Sequence, residues 1–381
     1  MSIRCFALIA YTAAACADLT SGLHAQTRTI PPARTGEVVL VVSSAGRDSG
    51  RTRPGFEMDE LSQAWHIFRR NGFTVTIASP SGGAVQADRF DAAEASNAAF
   101  FADSSAMRAL SDTRRTAGLQ ASRFDAIFVV GGKGAMFDLP ADTALARLAG
   151  QMHDRGAVVA AVCHGPAGLV RARAKDGRPL LAGRAVTGFT NEEESAFGKK
   201  WSSQFAFLLE DEIRGLGARW AEVPLMMPHV VADGRLITGQ NPFSTTATVE
   251  AVVRALGGTP VSRTPWVEER TMSFAVSALE QDALTPKREL ARIHKELKVE
   301  LIGMLGYYQL QAATDDASVR RALTLMELAA PYMPQPEISI GLADAYHRTG
   351  RTHEARALAR AVLQQHPTMP AAKVLLDKLG G

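Results

Sequence analysis

One apolar segment that ends in a cysteine constrains the fold more than any other part of the chain. Residues 157–162 are a continuous run of Val and Ala, and Cys163, His164, Gly165 and Pro166 follow directly. A short apolar run that stops at turn-forming residues is typical of a buried parallel strand. The side chain after such a strand is exposed at the carboxyl edge of the sheet, where doubly wound folds place their sites. The segment therefore predicts an α/β fold with Cys163 on a strand-to-helix elbow.

The chemistry of Cys163 has two interpretations. A helix N-terminus after the elbow and the neighbouring imidazole of His164 would both favour the thiolate, which is the form that attacks carbon. The alternative is a buried structural cysteine, because free cysteine is among the most buried residue types. The His-Gly-Pro sequence suits a turn better than a packed core, so it favours the catalytic interpretation.

The first 25 residues predict export. A short basic start precedes an apolar run at residues 5–15 and a small or polar stretch, which is the order of a secretory signal, and the run is shorter than the roughly 20 residues that span a bilayer. Cleavage after the segment would give a periplasmic protein, and lipidation of Cys16 would anchor it to the envelope. An uncleaved cytosolic tail is the alternative. With Cys5 and Cys16 in this segment, Cys163 has no disulfide partner.

Composition and patterning divide the 381 residues into two domains. A hydrophobic content of 46% allows a sizeable core, and a net charge of +3 gives no argument for a nucleic-acid partner. After a linker at 26–36, strands alternate with helices over residues 37–257, which predicts a parallel sheet covered on both faces. A connector at 258–290 leads to a smaller all-α domain at 291–381. The predicted strands are at 38–42, 73–78, 124–130, 157–162, 185–189 and 236–239, and the predicted helices of the first domain are at 57–71, 104–110, 141–155 and 244–256.

The end of the chain resembles a tetratricopeptide repeat, a helical hairpin with a period of roughly 34 residues. Residues 337–366 form the predicted hairpin, and Leu342 and Ala355 fall at its characteristic positions. A degenerate copy is predicted at 299–334, and residues 368–379 form a cap. The alternative is a plain helical appendage that packs on the first domain or dimerises.

Six motifs of the first domain resemble the ThiJ/PfpI superfamily, whose fold is shared with class I glutamine amidotransferases. The resemblance is strongest to the branch of heat-shock chaperones and glutathione-independent glyoxalases, covers residues 37–256 and implies a flavodoxin-like doubly wound sandwich. In sequence order the motifs are Gly55-Phe-Glu-Met-Asp-Glu-Leu, Ala78-Ser-Pro-Ser-Gly-Gly, Gly131-Gly-Lys-Gly-Ala-Met-Phe-Asp-Leu-Pro, Ala161-Val-Cys-His-Gly-Pro, Val186-Thr-Gly-Phe and Leu236-Ile-Thr-Gly-Gln-Asn-Pro.

The resemblance implies a catalytic cysteine, Cys163, with His164 directly after it. It also implies an acid of the first helix beside the thiol, and Glu60 occupies that position. Burial and the charge of a nearby thiolate raise the pKa of a carboxyl group, so one proton is shared and Glu60 can act as a base at carbon or an acid at oxygen. The alternative for Glu60 is a solvated helix face, together with Glu57 and Asp59.

The remaining implied site residues lie in two motifs. An acid shortly after the Thr-Gly-Phe motif orients the histidine, which points to Glu194, while Glu192 and Glu193 stay open as alternatives. The Gly131 and Gly132 turn would donate backbone N–H groups to a developing oxyanion.

One residue departs from the family pattern. Relatives usually carry His where this chain has Lys133, so no imidazole role is expected there, and a lysine can steer a carboxylated or carbonyl substrate. No His, Cys or Asp cluster has the spacing of a metal site.

The resemblance implies a cofactor-free lyase of the glyoxalase III, or lactate dehydratase, type that acts on a small reactive aldehyde. With methylglyoxal, Cys163 would form a hemithioacetal, Glu60 would move a proton from C1 to C2, and hydrolysis of the thioester would give lactate. A deglycase would use the same residues. A homodimer is expected, because many members of this family oligomerise.

Two other functions stay open. A cysteine peptidase or amidotransferase-like hydrolase would keep the fold, but amidotransferases take their histidine from a distant His-x-Glu motif that residues 37–257 lack. A holdase chaperone or scaffold would instead bind a peptide or protein at the helical tail, in an exposed apolar groove. Met326, Tyr332 and Met333 are the candidate groove residues.

Overall fold

The computed structural model describes residues 36–198 and 200–380. The predicted export segment, with Cys5 and Cys16, lies outside these residues. Among the described helices none combines the length and the apolar composition that a membrane crossing requires.

The described strands form a seven-stranded sheet and a separate parallel pair. Their bounds are β1 Glu37–Val41, β2 Thr74–Ser79, β3 Arg114–Arg115, β4 Ala126–Val129, β5 Val158–Val162, β6 Ala185–Val186, β7 Arg219–Trp220, β8 Val230–Asp233 and β9 Leu236–Gly239. The large sheet has the order β3-β2-β1-β4-β5-β9-β8, and β6 pairs with β7. Every neighbouring pair is parallel except β8 with β9. The strand order reverses beside β1, as in doubly wound folds.

Helices flank the sheet, and a helical region follows it. The helices of the α/β part are α1 Met58–Arg70, α2 Ala95–Ala102, α3 Ser104–Ser111, α4 Ala135–Asp138, α5 Thr143–Asp154, α6 Asn191–Phe197, α7 Leu209–Gly215 and α8 Thr245–Ala255. The later helices are α9 Val267–Glu280, α10 Leu284–Ile293, α11 Val299–Ala312, α12 Asp316–Ala329, α13 Pro336–Arg348, α14 Thr352–Gln365 and α15 Pro370–Lys378.

The core of the α/β part lies between the sheet and its helices. Strands β4 and β5 are buried along their whole length, as their continuous apolar sequence predicts. Leu61, Trp65 and Phe68 of α1 are buried on one face of that helix, and α1 and α8 pack on each other and on the sheet, while α5 packs on β4 and β5. The predicted flavodoxin-like sandwich is confirmed.

The helical region packs on the α/β part and has its own core. Helices α11 and α12 form one hairpin and α13 and α14 another, as predicted, whereas the tetratricopeptide likeness stays a prediction. Met326 and Met333 are 0% and 4% exposed inside this core. The prediction that they line an exposed apolar groove is wrong, because both side chains fill space between the helices; Tyr332 is partly buried against the same cluster.

Candidate active site

Cys163 lies on a strained elbow directly after β5. Its φ of 59° is left-handed, a conformation that costs a residue with a side chain roughly 1 to 2 kcal/mol. Backbone hydrogen bonds hold it on both sides, because Cys163 N–H donates to the Gly239 carbonyl and Phe189 N–H donates to the Cys163 carbonyl, each at 2.9 Å. The elbow therefore fixes the direction of the thiol.

Burial disfavours the thiolate of Cys163, in contrast to the sequence pattern, which favours it. The segment after the elbow, Gly165–Leu169, is a five-residue 3₁₀ helix and not the α-helix that would stabilise a thiolate. Cys163 is 3% exposed. Burial, and then the nearby carboxyl of Glu60, raise the pKa of the Cys163 thiol well above its ordinary value. Attack on carbon thus requires a base that takes the thiol proton.

His164 is placed to be that base. Its Nδ1 lies 3.4 Å from the Cys163 Sγ, and its Nε2 lies 2.7 Å from Oε2 of Glu194. A carboxylate can only accept, so it assigns the proton to Nε2 and leaves the lone pair of Nδ1 toward the thiol. The imidazole stacks at a tilt on Phe189, with 4.4 Å between ring centroids, and is 1% exposed.

The structure separates the three acids that the sequence left open, and Glu192 is exposed to solvent while the other two are buried. Thr190 caps α6 in a capping box, in which Glu193 Oε2 accepts from Thr190 N–H at 2.9 Å. The other oxygen of Glu193 accepts from Met226 N–H and the Asn241 amide. Glu193 is therefore bonded away from the histidine, and the structure brings Glu194 to His164.

Glu60 approaches the thiol from the first turn of α1 and is fully buried. Its Oε2 accepts from the Gly131 N–H at 2.6 Å. Burial first, and Glu57 next, raise the pKa of the Glu60 carboxyl well above its ordinary value, while the Gly131 N–H and the Cys163 thiol oppose the shift. No described residue donates a hydrogen bond to the other oxygen, Oε1. That oxygen is available for a proton transfer.

The Gly131 and Gly132 turn packs against the elbow. A Cβ on Gly131 would lie 2.7 Å from the Cys163 Cβ, which is too close for two carbon atoms, so only glycine fits at this position. Since Gly131 N–H donates to Glu60, the amide that faces the sulfur is that of Gly132. Of the two predicted oxyanion donors, Gly131 N–H is therefore bonded to Glu60, and Gly132 N–H lies at the sulfur, next to the position of a carbon that it would attack.

Lys133 and an unpredicted acid lie at the same turn. Burial, then the charges of Asp59 and Asp88, raise the pKa of Glu57 to about 8, and the charge of Lys133 opposes this shift. Glu57 N–H also donates to the Gly131 carbonyl at 3.1 Å. In the sequence, only the crowding of Glu57 with other acids marks it, and this indicates no more than an acidic first turn of the helix.

The site combines a thiol and a carboxyl whose pKa values are both raised by burial with an imidazole that is oriented by a second acid. Such a set suits covalent addition to a carbonyl followed by proton transfer. Among the described residues, no three His, Cys, Asp or Glu side chains converge as a metal cluster.

This elbow cysteine on a flavodoxin-like sheet defines a class of α/β proteins that carry a buried thiol at the carboxyl edge of the central strands. Residues 52–255 match the sequence profile of the DJ-1/PfpI family, and the chain belongs to that family. The family prediction is confirmed.

Several relatives share most of their length with this chain. The glutathione-independent glyoxalase hsp3101 of Schizosaccharomyces pombe is 31% identical over 246 residues, which cover 58% of this chain and 96% of the relative. The glutathione-independent glyoxalase HSP31 of Saccharomyces cerevisiae is 31% identical over 225 residues, covering 55% and 92%. The crystal structure of glyoxalase III from Candida albicans is similar with a TM-score of 0.53 at 27% identity, covering 58% of this chain and 97% of that one.

Proposed function

We propose that the protein is a glutathione-independent glyoxalase of the lyase type, which converts methylglyoxal to lactate without a cofactor. The relatives named as glyoxalases support the substrate class, a small 2-oxoaldehyde. The observation that carries the proposal is the buried carboxyl of Glu60 beside the Cys163 thiol, with one oxygen unbonded and a pKa raised by burial. A carboxyl that holds a proton near neutral pH can exchange it with both carbons of an enediol.

The first step forms a carbon–sulfur bond. His164 Nδ1 takes the proton of the Cys163 thiol as the sulfur adds to the aldehyde carbon C1. The aldehyde oxygen gains negative charge, which the Gly132 N–H stabilises, and it then takes the proton of Glu60. The product is a hemithioacetal, and Glu60 is now a carboxylate.

The second step moves hydrogen between carbons. The Glu60 carboxylate removes the proton from C1 while the protonated His164 gives its proton to the oxygen on C2, which yields an enediol. Glu60 then returns its proton to C2, and His164 takes the proton of the C1 hydroxyl as a thioester forms. Water adds its hydroxyl to the thioester carbon and gives its other proton to the Glu60 carboxylate, while the protonated His164 returns a proton to the departing sulfur. Lactic acid leaves with the atoms of one methylglyoxal and one water, and it ionises to lactate in solution.

The test is lactate production from methylglyoxal by the full chain without glutathione. Wild type is expected to make lactate, and Cys163→Ala is expected to make none while keeping the far-UV circular dichroism of the wild type. Cys163→Ser is the matched control, because it keeps the size of the side chain and removes most of its nucleophilicity. Turnover that persists in Cys163→Ala would refute the mechanism, and a folded wild type without lactate would refute the activity.

Three further expectations belong to this proposal. The sequence pattern of residues 1–25 supports export to the periplasm or envelope, where a carbonyl-detoxifying enzyme would protect exposed proteins. Family oligomerisation supports a homodimer. The hairpin pattern of residues 337–366 supports a tetratricopeptide-like surface for a peptide or protein partner.

A further inference from the structure

The C-terminal helices contact the part of the α/β domain that carries Glu194. Tyr308 of α11 packs its ring on Phe197 at the end of α6, with 4.8 Å between ring centroids. Met227 belongs to the same buried apolar cluster as side chains of α11 and α12. The family match ends at residue 255, before α9 begins. The contact is therefore made by a region beyond the matched family domain.

One peptide group connects α11 with the acidic turn of α6. It joins Leu225 to Met226, and both of its polar groups are bonded. Gln309 Nε2 of α11 donates to the Leu225 carbonyl at 3.0 Å in a buried hydrogen bond. Met226 N–H donates to Oε1 of Glu193 at 2.8 Å. Because the carbonyl and the N–H belong to one rigid peptide plane, the bond from Gln309 fixes the direction in which the N–H meets Glu193.

The backbone at this peptide needs external support. Met226 has a φ of 59°, in the left-handed region that residues with a side chain rarely adopt. Such a conformation persists only where surrounding contacts hold it. Gln309 holds one side of the peptide and Glu193 the other, and Gln309 is only 5% exposed. Loss of the Gln309 bond would leave the strained turn free to relax.

The hydrogen bonds of Glu193 connect the Leu225–Met226 peptide to Glu194 and His164. Glu193 also accepts from Thr190 N–H and from the Asn241 amide, each at 2.9 Å, and the next residue, Glu194, bonds His164. Helix α6 has only seven residues, so the bonds of Glu193 in its first turn set where Glu194 lies. A shift of the Leu225–Met226 peptide therefore moves the acid that orients the histidine.

We propose that Gln309 of the C-terminal helical region is a positioning residue for His164 and Glu194, so that this region completes the active site; the proposal rests on the proposed function in taking His164 as the base for Cys163. The helical region then acts on catalysis through the Leu225–Met226 peptide and Glu193.

The test compares Gln309→Met, which keeps the side-chain size but removes the donor, with wild type. The first readout is the pH dependence of Cys163 alkylation by iodoacetamide, followed by mass on the tryptic peptide 156–171. Gln309→Met changes no charge, so Glu57, Glu60 and Glu193 keep theirs, and a shifted profile reports the geometry of the histidine. The second readout is kcat and KM for lactate formation.

We expect Gln309→Met to slow alkylation at pH 7 by about tenfold or more, to move the profile to higher pH, and to lower kcat with little change in KM. Arg348→Met is the control, because Arg348 bonds the Leu310 and Ala313 carbonyls at the end of the same helix without contact to Leu225. It should leave both readouts within about twofold of wild type. Adding Met226→Gly to Gln309→Met relieves the strained turn and should restore part of the loss.

A folded Gln309→Met protein with the wild-type profile would overturn the proposal, and so would equal losses in the Arg348→Met control. If Gln309→Met does not fold, Tyr308→Leu loosens α11 from α6 through the ring contact and is measured in the same way, with an unchanged profile again overturning the proposal. The alkylation readout needs no substrate. If the wild type makes no lactate, the proposed activity is refuted, and the alkylation profiles still test the positioning role of Gln309.

Discussion

The Glu60 carboxyl offers the sharpest separation of folding from catalysis in this protein. In Glu60→Gln, the amide oxygen can still accept from the Gly131 N–H, the bond that is 2.6 Å long in the wild type. Because burial raises the pKa of the wild-type carboxyl and favours its neutral form, the substitution replaces that form by another neutral polar group of the same shape. At pH 4, where the unfolded chain also holds most of this proton, the free energy of unfolding should change by less than about 1 kcal/mol. At higher pH the glutamine variant should become the more stable of the two, because the wild type must take up a proton when it folds.

The catalytic cost should be far larger. An amide cannot carry a proton between C1 and C2, and a positioned acid or base contributes about 10²- to 10⁴-fold to a rate, or roughly 3 to 5 kcal/mol of transition-state stabilisation. Glu60→Gln keeps Cys163 and His164, so it should still add to methylglyoxal and accumulate the adduct, which intact-protein mass would detect. In heavy water, the deuterium content at C2 of lactate would show how far the proton held by Glu60 exchanges with solvent before it reaches C2.

Two results would refute this reasoning. Turnover of Glu60→Gln within about tenfold of wild type would show that another group carries the proton. A loss of several kcal/mol of stability in urea unfolding would show that an ionised Glu60 has a structural role. Glu60→Ala, which leaves Gly131 N–H unpaired in a cavity, is the comparison variant and should lose stability as well as activity.

The remaining predictions concern stability near the site. The pKa of Glu57 is raised from 4.5 to about 8, so between these two pH values the folded chain holds a proton that the unfolded chain has released. The free energy of unfolding therefore falls as pH rises through this range, by at most about 1.4 kcal/mol per pH unit. Glu57→Gln should flatten the urea stability curve between pH 5 and 8, and an unchanged slope would contradict the assignment. Gly131→Ala should lose about 1 to 3 kcal/mol and most of the alkylation rate, because its Cβ would meet the elbow at 2.7 Å. A Cβ on Gly215 would have no neighbour within 4 Å, so Gly215→Ala should leave the free energy of unfolding unchanged or raise it by about 0.5 to 1 kcal/mol. Equal effects of the two substitutions on stability would contradict a clash at Gly131.

Local sequence patterns predict the elements that build this site. The Val and Ala run of β5 and the His-Gly-Pro that follows it locate the elbow, because chain direction and side-chain size are local properties. A local sequence pattern also distinguishes Glu194 from Glu193 as the partner of the histidine. Thr190-x-x-Glu193 is a capping-box pattern, and a glutamate that closes the box is turned toward the helix start.

Properties that depend on burial were not predictable in the same way. The sequence favoured a thiolate at Cys163, because it could not show that the next segment is a short 3₁₀ helix or that Glu60 would be fully buried against the sulfur. The pKa of a buried group depends on every neighbour in space, so a list of residue types nearby in sequence does not give the direction of its shift. The bond from Gln309 to Leu225 joins residues 84 positions apart, and no periodicity encodes such a pair.

The enclosed thiol has a consequence for oxidative damage. Peroxides react with thiolates far faster than with thiols, and oxidation beyond the sulfenic acid is irreversible for most cysteines. Cys163 is 3% exposed, and burial raises the pKa of its thiol. Both properties disfavour reaction with peroxide, so we expect Cys163 to be oxidised more slowly than an exposed cysteine of ordinary pKa.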